Sequence, residues 1–511
     1  MYYAGLPSSP LLLARTGQTR WHIPKGPEAY RRLKQLGIVV NHKLNTNWLS
    51  LVAPKIQACL DRLQVKWTSL DVVRIGEVGA PSTITLWIGA FPRSLNRERA
   101  NSAAFACLGV LQACDITDVD VEIRESLVIC SAGPSLLAPV LPSNPTAEVC
   151  HPLTHALGLH ISPQNASYTA GTGGFFMALG ANPKPLLLVT ARHVVFPNSK
   201  SNHHFEHKHA SQARHNVLLL GDEAYPNLLT SIKTAIGQHG ILVEDGERRI
   251  EAMKEQDDED ADMEREVAQS QVGGAKRAME RLYTFFQDVK RDWATTESRI
   301  LGHVIYSPSV LLSAGTKDEQ FTRDYAIIEV DNGKIDRTKF NGNMLYLGDK
   351  IPPWEFTEKM HTDPQGASSF KFPANRLLKL HGTIPVSEMC NPTTLDGNKD
   401  PAIIVIKRGI TTDVTIGRAS SIMSIVRKYF EDGSDQTSHE WAILPYDNKS
   451  GAFSARGDSG AVVVDSDGRI GGLLTGGAGL TASTDISYVT PIDFLLKDIK
   501  KHYPNAHPNP V

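Results

Sequence analysis

The sequence predicts a mainly β protein preceded by a smaller α/β domain. Three observations carry this. Short apolar runs separated by glycine and polar turns fill the chain after about residue 155, helical and strand-like patterns alternate over residues 1–130, and prolines cluster between the two regions. Short strands with turn signals between them argue for a β-sandwich or barrel.

In the first region, strand-like runs fall at 70–75, 83–89 and 118–124, and helical patterns at 46–64 and 96–113. In the second helical pattern Ala104, Cys107, Leu108 and Leu111 recur at helical spacing. No titratable cluster with catalytic spacing occurs there, so residues 1–130 are expected to form an accessory or regulatory domain. Pro134, Pro139, Pro142, Pro145 and Pro152 follow. Proline lacks a backbone donor and disfavours helix in the residue before it, so 131–154 is expected to be an extended linker.

The β-rich runs after 155 are 167–179, 185–195, 299–307, 324–330, 401–408, 460–477 and 485–492. The stretch 221–298 breaks the pattern, with the acid-rich run DDEDADMERE at 257–266 followed by a helical-period segment at 275–293. It reads as a charged helical insertion between two strands, its acidic run a solvated face.

Composition narrows the function classes. The 511 residues are 41% hydrophobic and 21% charged, a globular balance that excludes wholly disordered and collagen-like chains. Fifty-three Lys plus Arg against 55 Asp plus Glu give a net charge of −2, so no net field favours nucleic acid or a membrane surface as partner. No apolar run approaches the roughly 20 residues a spanning helix needs. The first residues lack the basic segment and long apolar run of a secretory signal. Five of the six cysteines (Cys59, Cys107, Cys114, Cys130 and Cys150) lie in the first 150 residues, with only Cys390 beyond. That distribution suits a reducing compartment, cytoplasmic or nuclear.

The chemistry-bearing motifs lie in the second region. Gly457-Asp458-Ser459-Gly460 precedes the apolar run Ala461–Val464. A serine hydroxyl needs a base to take its proton, and a developing oxyanion needs preorganised donors, which N–H groups of a tight glycine-containing turn can supply. The strand pattern Leu188–Thr190 leads into Ala191, Arg192 and His193, and Asp324 opens the strand pattern 324–330. An imidazole oriented by a carboxylate is the base such a serine requires.

These three blocks, in the order His, Asp, Ser, resemble the trypsin-like (chymotrypsin-fold) serine proteases. Thr190-Ala191-Arg192-His193-Val194 is similar to the family's histidine block, Asp324-Tyr325-Ala326-Ile327-Ile328 to its aspartate block, and Gly457-Asp458-Ser459-Gly460 to its serine block. Lys407-Arg408-Gly409 with Thr415-Ile416-Gly417, Gly472 to Gly477, and Tyr488 to Ile492 resemble supporting strands. The likeness covers about 155–500 and implies a chymotrypsin-like double β-barrel at 155–511.

It also implies a serine endopeptidase acting on a protein or peptide substrate. Ser459 would be the nucleophile, His193 the base and Asp324 its orienting group. The N–H groups of Gly457 and Ser459 would form the oxyanion hole. Phe453, Thr475, Gly476, Gly477 and Ile486 would line the substrate site. His193 and Asp324 stand 131 positions apart, far more than is usual in the family, with the insertion accounting for most of the excess. Relatives often pair the acid at Asp458 with an amino terminus freed by cleavage. Here either a cut within 131–168 supplies that partner or an internal donor serves.

Other motifs carry less. His203, His204, His207, His209 and His215 lack the closed ligand set of a zinc site, and no His-Glu-x-x-His occurs, so neither metal nor cofactor is expected. Gly171-Thr172-Gly173-Gly174 lacks the Gly-Lys-Ser/Thr ending of a phosphate loop and reads as a barrel turn. A Gly-x-Ser-x-Gly esterase elbow is absent, and the triad order is wrong for that fold. The alternative function is a catalytically silent protease-fold binding module that engages a protein partner through the N-terminal domain or the acidic insertion.

The pocket positions implied by the resemblance include no carboxylate, so the residue before the cut bond is expected to be uncharged. A peptide-library cleavage profile dominated by Arg or Lys would overturn this.

Overall fold

The computed structural model describes residues 2–6, 10–19, 21, 33–126, 133–180, 185–197, 202–209, 212–255, 258–316, 319–361, 370–429 and 434–509. The chain divides into two compact units between Ser131 and Ala132. Cys130 and the start of the expected linker lie outside the described residues.

The first unit is an α/β layer. Strands β1 (Leu12–Arg15), β2 (Lys34–Gly37), β3 (Trp67–Glu77), β4 (Thr83–Ala90) and β5 (Val119–Glu125) form a sheet in the order β1-β5-β4-β3-β2, with β4 and β5 parallel. Parallel neighbours need a crossover, and helix α2 (Arg97–Gln112) makes it, capped by Asn96, whose side chain accepts from the Arg99 N–H. Helix α1 (Ala53–Arg62) joins the same core: Ile56 and Leu60 pack with Ala100, Ala104 and Cys107 and with Leu86, Ile88, Val121 and Ile123. The alternation along β4 and β5 puts the intervening residues on the opposite face. There Glu122 is buried, and its carboxylate accepts from the Tyr2 and Tyr3 hydroxyls.

The second unit holds two six-stranded barrels. In the first, β6 (Leu159–Pro163), β7 (Gly171–Gly173), β8 (Phe175–Met177), β9 (Leu187–Thr190), β10 (Asn216–Leu219), β11 (Ile300–Ser307) and β12 (Ala326–Val330) run in the order β7-β6-β10-β11-β12-β9-β8. Only Gly174 separates β7 from β8, so the chain itself closes the ring. The second comprises β13 (Ile403–Gly409), β14 (Asp413–Ala419), β15 (Asp435–Pro445), β16 (Val462–Asp465), β17 (Ile470–Ala478) and β18 (Ile486–Pro491), and pairing of β15 with β18 closes it. With β7 and β8 counted as one strand, both barrels have the same cyclic order: the first strand lies between the second and fourth, and the sixth between the fifth and third. The fold is thus the expected mainly β double barrel, with an α/β domain before it in the chain.

The apolar runs of β13 and β16 reflect burial on both faces. Ile403, Val405 and Val463 fill the second barrel with Trp441 and Phe453, whereas Ile404, Ile406, Val462 and Val464 join the larger core shared with the first barrel. The terminal helix α6 (Ile492–Lys500) follows the second barrel yet packs Ile492, Leu495 and Ile499 into that shared core.

The proline-rich stretch departs from expectation. Over 133–154 it belongs to the second unit rather than to an extended linker. Leu136 and Leu153 are buried in the shared core, the Leu137 N–H donates to the Leu153 carbonyl, and 147–150 is a helical turn. The prolines leave the backbone short of donors, but the leucines between them find an apolar face, and burial decides.

The insertion is a helical hairpin between β10 and β11, α4 (Ala224–Ala252) and α5 (Glu259–Asp292). Its acid-rich run begins α5: the Asp258 carboxylate caps the Ala261 N–H, and Glu259, Asp260 and Asp262 occupy the first turn, where the helix dipole favours anions. Arg249–Glu264 (3.0 Å) and Lys276–Glu247 (2.7 Å) link the two helices. At the root Leu228, Ile232 and Val289 enter the barrel core. No helix among the described residues is long and apolar enough to cross a membrane.

The root and shaft of the hairpin should therefore differ in weight. Ile232→Ala is expected to cost about 2–5 kcal/mol, whereas Ile241→Ala, on a side chain 65% exposed, should stay within about 0.5 kcal/mol. Urea unfolding of both variants checks this, and equal losses would mean the hairpin is not rooted as described.

Candidate active site

His193 stands on the single helical turn α3 (Arg192–Val195) that ends β9, and Asp324 directly precedes β12. β9 and β12 pair antiparallel with Ala326 opposite Thr190, which brings the two residues to the same end of the sheet. His193 Nδ1 donates to Asp324 Oδ2 at 2.6 Å, and the His193 backbone N–H donates to Oδ1 at 3.2 Å. The carboxylate therefore sets both the tautomer and the turn that carries the ring. Asp324 is buried, while 43% of the His193 side chain is accessible.

Desolvation pulls the imidazole of His193 down, but the charge of Asp324 and its hydrogen bond outweigh this and hold the ring above the ordinary histidine value. Burial likewise opposes ionisation of Asp324. The His193 charge and the hydrogen bonds from His193 and the Arg192 backbone still keep the carboxyl below its usual range.

Arg192, beside His193, is buried and fastens α3 in place. Its guanidinium donates to the Ser307 carbonyl (3.1 Å), the Ser307 hydroxyl (2.9 Å) and the His203 carbonyl (2.7 Å). The Ser307 hydroxyl in turn donates to the carbonyl of Tyr325, next to Asp324.

Ser459 lies on the turn leading to β16. Within that turn the N–H groups of Ala455, Arg456, Asp458, Gly460 and Ala461 are all bonded, to Asp458 Oδ2 and to the carbonyls of Ala482, Ala455, Leu474 and Asp458 respectively. Those of Gly457 and Ser459 donate no hydrogen bond among the described residues. These are the two donors expected to face an oxyanion. Gly457 at φ +105° and Gly460 at φ +88° adopt the left-handed backbone this geometry requires.

The turn is held against the first barrel by Thr172. Its N–H donates to the Ser459 carbonyl (2.9 Å), and its hydroxyl donates to the Gly457 carbonyl (3.1 Å) and accepts from the Ile410 N–H (3.3 Å). Thr190, at the end of β9, donates its hydroxyl to the Thr172 carbonyl at 2.7 Å. A Cβ at Gly460 would meet Thr190 Oγ1 at 2.3 Å and the Ala191 N at 3.2 Å. The serine turn thus abuts the strand end that carries His193. The Ser459 hydroxyl itself makes no hydrogen bond to His193 among the described residues.

The expected substrate positions separate. Thr475, Gly476 and Gly477 lie on β17 and Ile486 on β18, with Gly477 opposite Ser487 and Ala478 opposite Ile486. Phe453 is instead an interior side chain of the second barrel, 1% exposed, because Gly417 leaves room for its ring: a Cβ there would meet Phe453 Cδ2 at 2.6 Å. Beside it Ser454, Thr484 and Ser487 join hydroxyls at 2.7–3.1 Å.

One buried acid near the site was not singled out from the sequence. Glu440 accepts from the hydroxyls of Thr322 and Ser438. Burial pushes it up to about 7, against those hydrogen bonds and with a contribution from the charge of Asp324. No group of three or more His, Cys, Asp or Glu residues that could hold a metal occurs among the described residues.

No family model and no curated protein matches the chain. Among solved structures, similar chains include a glutamic acid-specific serine protease with a histidine triad in substrate binding (11% identity, TM-score 0.31, covering 67% of this chain and 97% of that one). Others are the Mycobacterium tuberculosis protein Rv3671c in an inactive form (11%, TM-score 0.24, 72% and 96%) and the chymotrypsin of Cellulomonas bogoriensis (14%, TM-score 0.19, 39% and 83%). The first and third of these neighbours are described as proteases, and the double barrel described above rests on the strand pairing of this chain.

Thr172→Val keeps the shape of the side chain but removes the hydroxyl that serves Gly457 and Ile410. Losing these two hydrogen bonds to part-buried partners should cost about 0.5–1.5 kcal/mol, read as a lower urea midpoint. Wild-type unfolding in this variant would mean the clasp contributes nothing.

Proposed function

We propose that this chain is a serine endopeptidase that cleaves protein or peptide substrates through a covalent acyl-enzyme. The observation that carries the reading is the turn 455–461, in which, among the described residues, every N–H group is bonded except those of Gly457 and Ser459, on either side of a buried acid. Donors left open in an otherwise saturated turn are what a developing oxyanion needs.

In this reading Ser459 Oγ attacks the scissile carbonyl carbon as His193 Nε2 takes the hydroxyl proton. The carbonyl oxygen, now negative, accepts from Gly457 and Ser459. The C–N bond then breaks as His193 returns the proton to the leaving amine, which leaves an ester on Ser459. Water, deprotonated by His193, cleaves that ester and restores the hydroxyl. Asp324 stays ionised throughout and stabilises the imidazolium through Nδ1. The Thr475–Gly477 stretch of β17, beyond its pairing with β16, is where substrate backbone would align.

Labelling of the full chain by a fluorophosphonate tests this directly. Ser459→Ala should abolish labelling and His193→Ala should slow it by about 10²–10⁴-fold. The base must be neutral, and Asp324 holds His193 above the ordinary value of about 6.5. Labelling should therefore rise with pH through a midpoint above about 6.5. Asp324→Asn should lower that midpoint as well as the rate, since the raising charge is lost while the burial remains. A folded wild-type chain that is never labelled would favour the silent binding module instead.

A further inference from the structure

Asp458 lies between the two free N–H groups and is fully enclosed, with no accessible side-chain surface. Withdrawing a carboxylate from water costs several kcal/mol unless hydrogen bonds and a counter-charge replace the lost solvation. Asp458 has both. Its Oδ1 accepts from the N–H groups of Thr411 (2.8 Å) and Thr412 (3.3 Å), and its Oδ2 from the Thr412 hydroxyl (2.7 Å) and the Ala455 N–H (2.9 Å).

The counter-charge is Lys407, on β13, whose Nζ lies 3.3 Å from Oδ2 and whose side chain is equally inaccessible. That ammonium also donates to the Thr412 hydroxyl and to the Asp413 carbonyl (3.1 Å), and lies 5.7 Å from the centre of the Phe453 ring. Burial pushes Lys407 down to about 8, opposed first by the charge of Asp458 and then by its hydrogen bond.

The pair joins three pieces of chain: the β13 strand, the 410–412 turn that follows it, and the serine turn. A Cβ at Gly409 would meet Asp458 Oδ1 at 2.3 Å, so the β13 strand end lies directly against the carboxylate. Glycines at 457 and 460 flank the acid and leave its turn free to swing once the carboxylate loses its partners.

We propose that Lys407 is an internal positioning residue that, by neutralising buried Asp458, holds the N–H groups of Gly457 and Ser459 in their anion-binding arrangement, so that the intact chain carries a formed site without cleavage. This rests on the reading of Ser459 as nucleophile. Lys407 acts on the reacting atoms only through Asp458 and the turn. A freed amino terminus is not required, because the space beside the carboxylate is already occupied by a side chain of the same barrel.

The test is fluorophosphonate labelling of the full-length chain, shown by intact mass to be uncut, with rate measured against probe concentration so that affinity and maximal rate separate. The wild-type chain is expected to label while uncut. Lys407→Met should label about 10²-fold more slowly at saturating probe, the scale of a lost oxyanion donor, with apparent probe affinity and circular dichroism little changed. The single variant leaves a buried carboxylate uncompensated and could fail to fold. Lys407→Met/Asp458→Asn removes both charges, should fold, and should show the same slow maximal rate.

A folded variant of either kind that labels at the wild-type rate overturns the proposal. So does a wild-type chain that labels only after a cut within 131–168, which leaves the nucleophile reading standing. A wild-type chain unlabelled both intact and cut removes that reading, and the proposal with it.

Discussion

The site is divided between two barrels, so its geometry depends on the contact that sets the serine turn of one against the histidine turn of the other. That contact is Thr172. Each of its polar groups is used: the N–H on Ser459, the hydroxyl on Gly457 and Ile410, the carbonyl by Thr190. Both threonines are fully buried, where a hydrogen bond is costly to leave unmade and its geometry correspondingly well defined. Gly460 belongs to the same constraint, since any side chain there would displace Thr190 or the backbone on the way to His193.

His193 is fixed by a second, independent set of bonds. Asp324 follows the short strand 321–323, which pairs with β15 of the second barrel, and precedes β12 of the first. It thus stands where the chain passes between the two sheets. Tyr325 beside it is fully buried and donates to Asp498 on α6, so the terminal helix also braces the carboxylate that orients His193. Arg192 completes this frame from the histidine side. An imidazole that is 43% accessible is thereby held by neighbours that are not.

The strands that carry the candidate site are legible in the sequence where its motifs coincide with local structure. The histidine, aspartate and serine blocks each sit on or beside a strand, and a strand read from β-rich periodicity places its terminal residue at a sheet edge. The hairpin was legible for a similar reason, since helical periodicity is a local signal. What stayed hidden depends on distant partners. Thr172 reads as part of a glycine-rich turn until Gly457, 285 positions away, is seen to accept from it. Lys407 reads as the polar end of a strand until Asp458 is placed beside it. The resemblance that implies a pocket wall at Phe453 says nothing about Gly417, whose missing side chain admits the ring to the barrel interior. The proline stretch misled because its composition reports lost donors and not the apolar face available to Leu136 and Leu153.

The long insertion shows why such a site can survive large changes in chain length. β10 and β11 are antiparallel neighbours, so their connected ends already lie close together, and any segment that returns to its start can join them. The hairpin does so by pairing α4 with α5, with Gly246 admitting Val272 at close range and salt bridges along the shaft. Loop closure grows only as the logarithm of length, so most of the ordering of these residues must be offset within the hairpin itself. Only the root enters the barrel core, and it does so along the chain after the β9 turn and before the β12 strand. The pairing of β9 with β12, which brings His193 to Asp324, therefore forms across the insertion without passing through it. The same separation lets the span between the barrels carry extra helices and loops, because the serine turn is set by Thr172 and Lys407 and not by the path that delivers it.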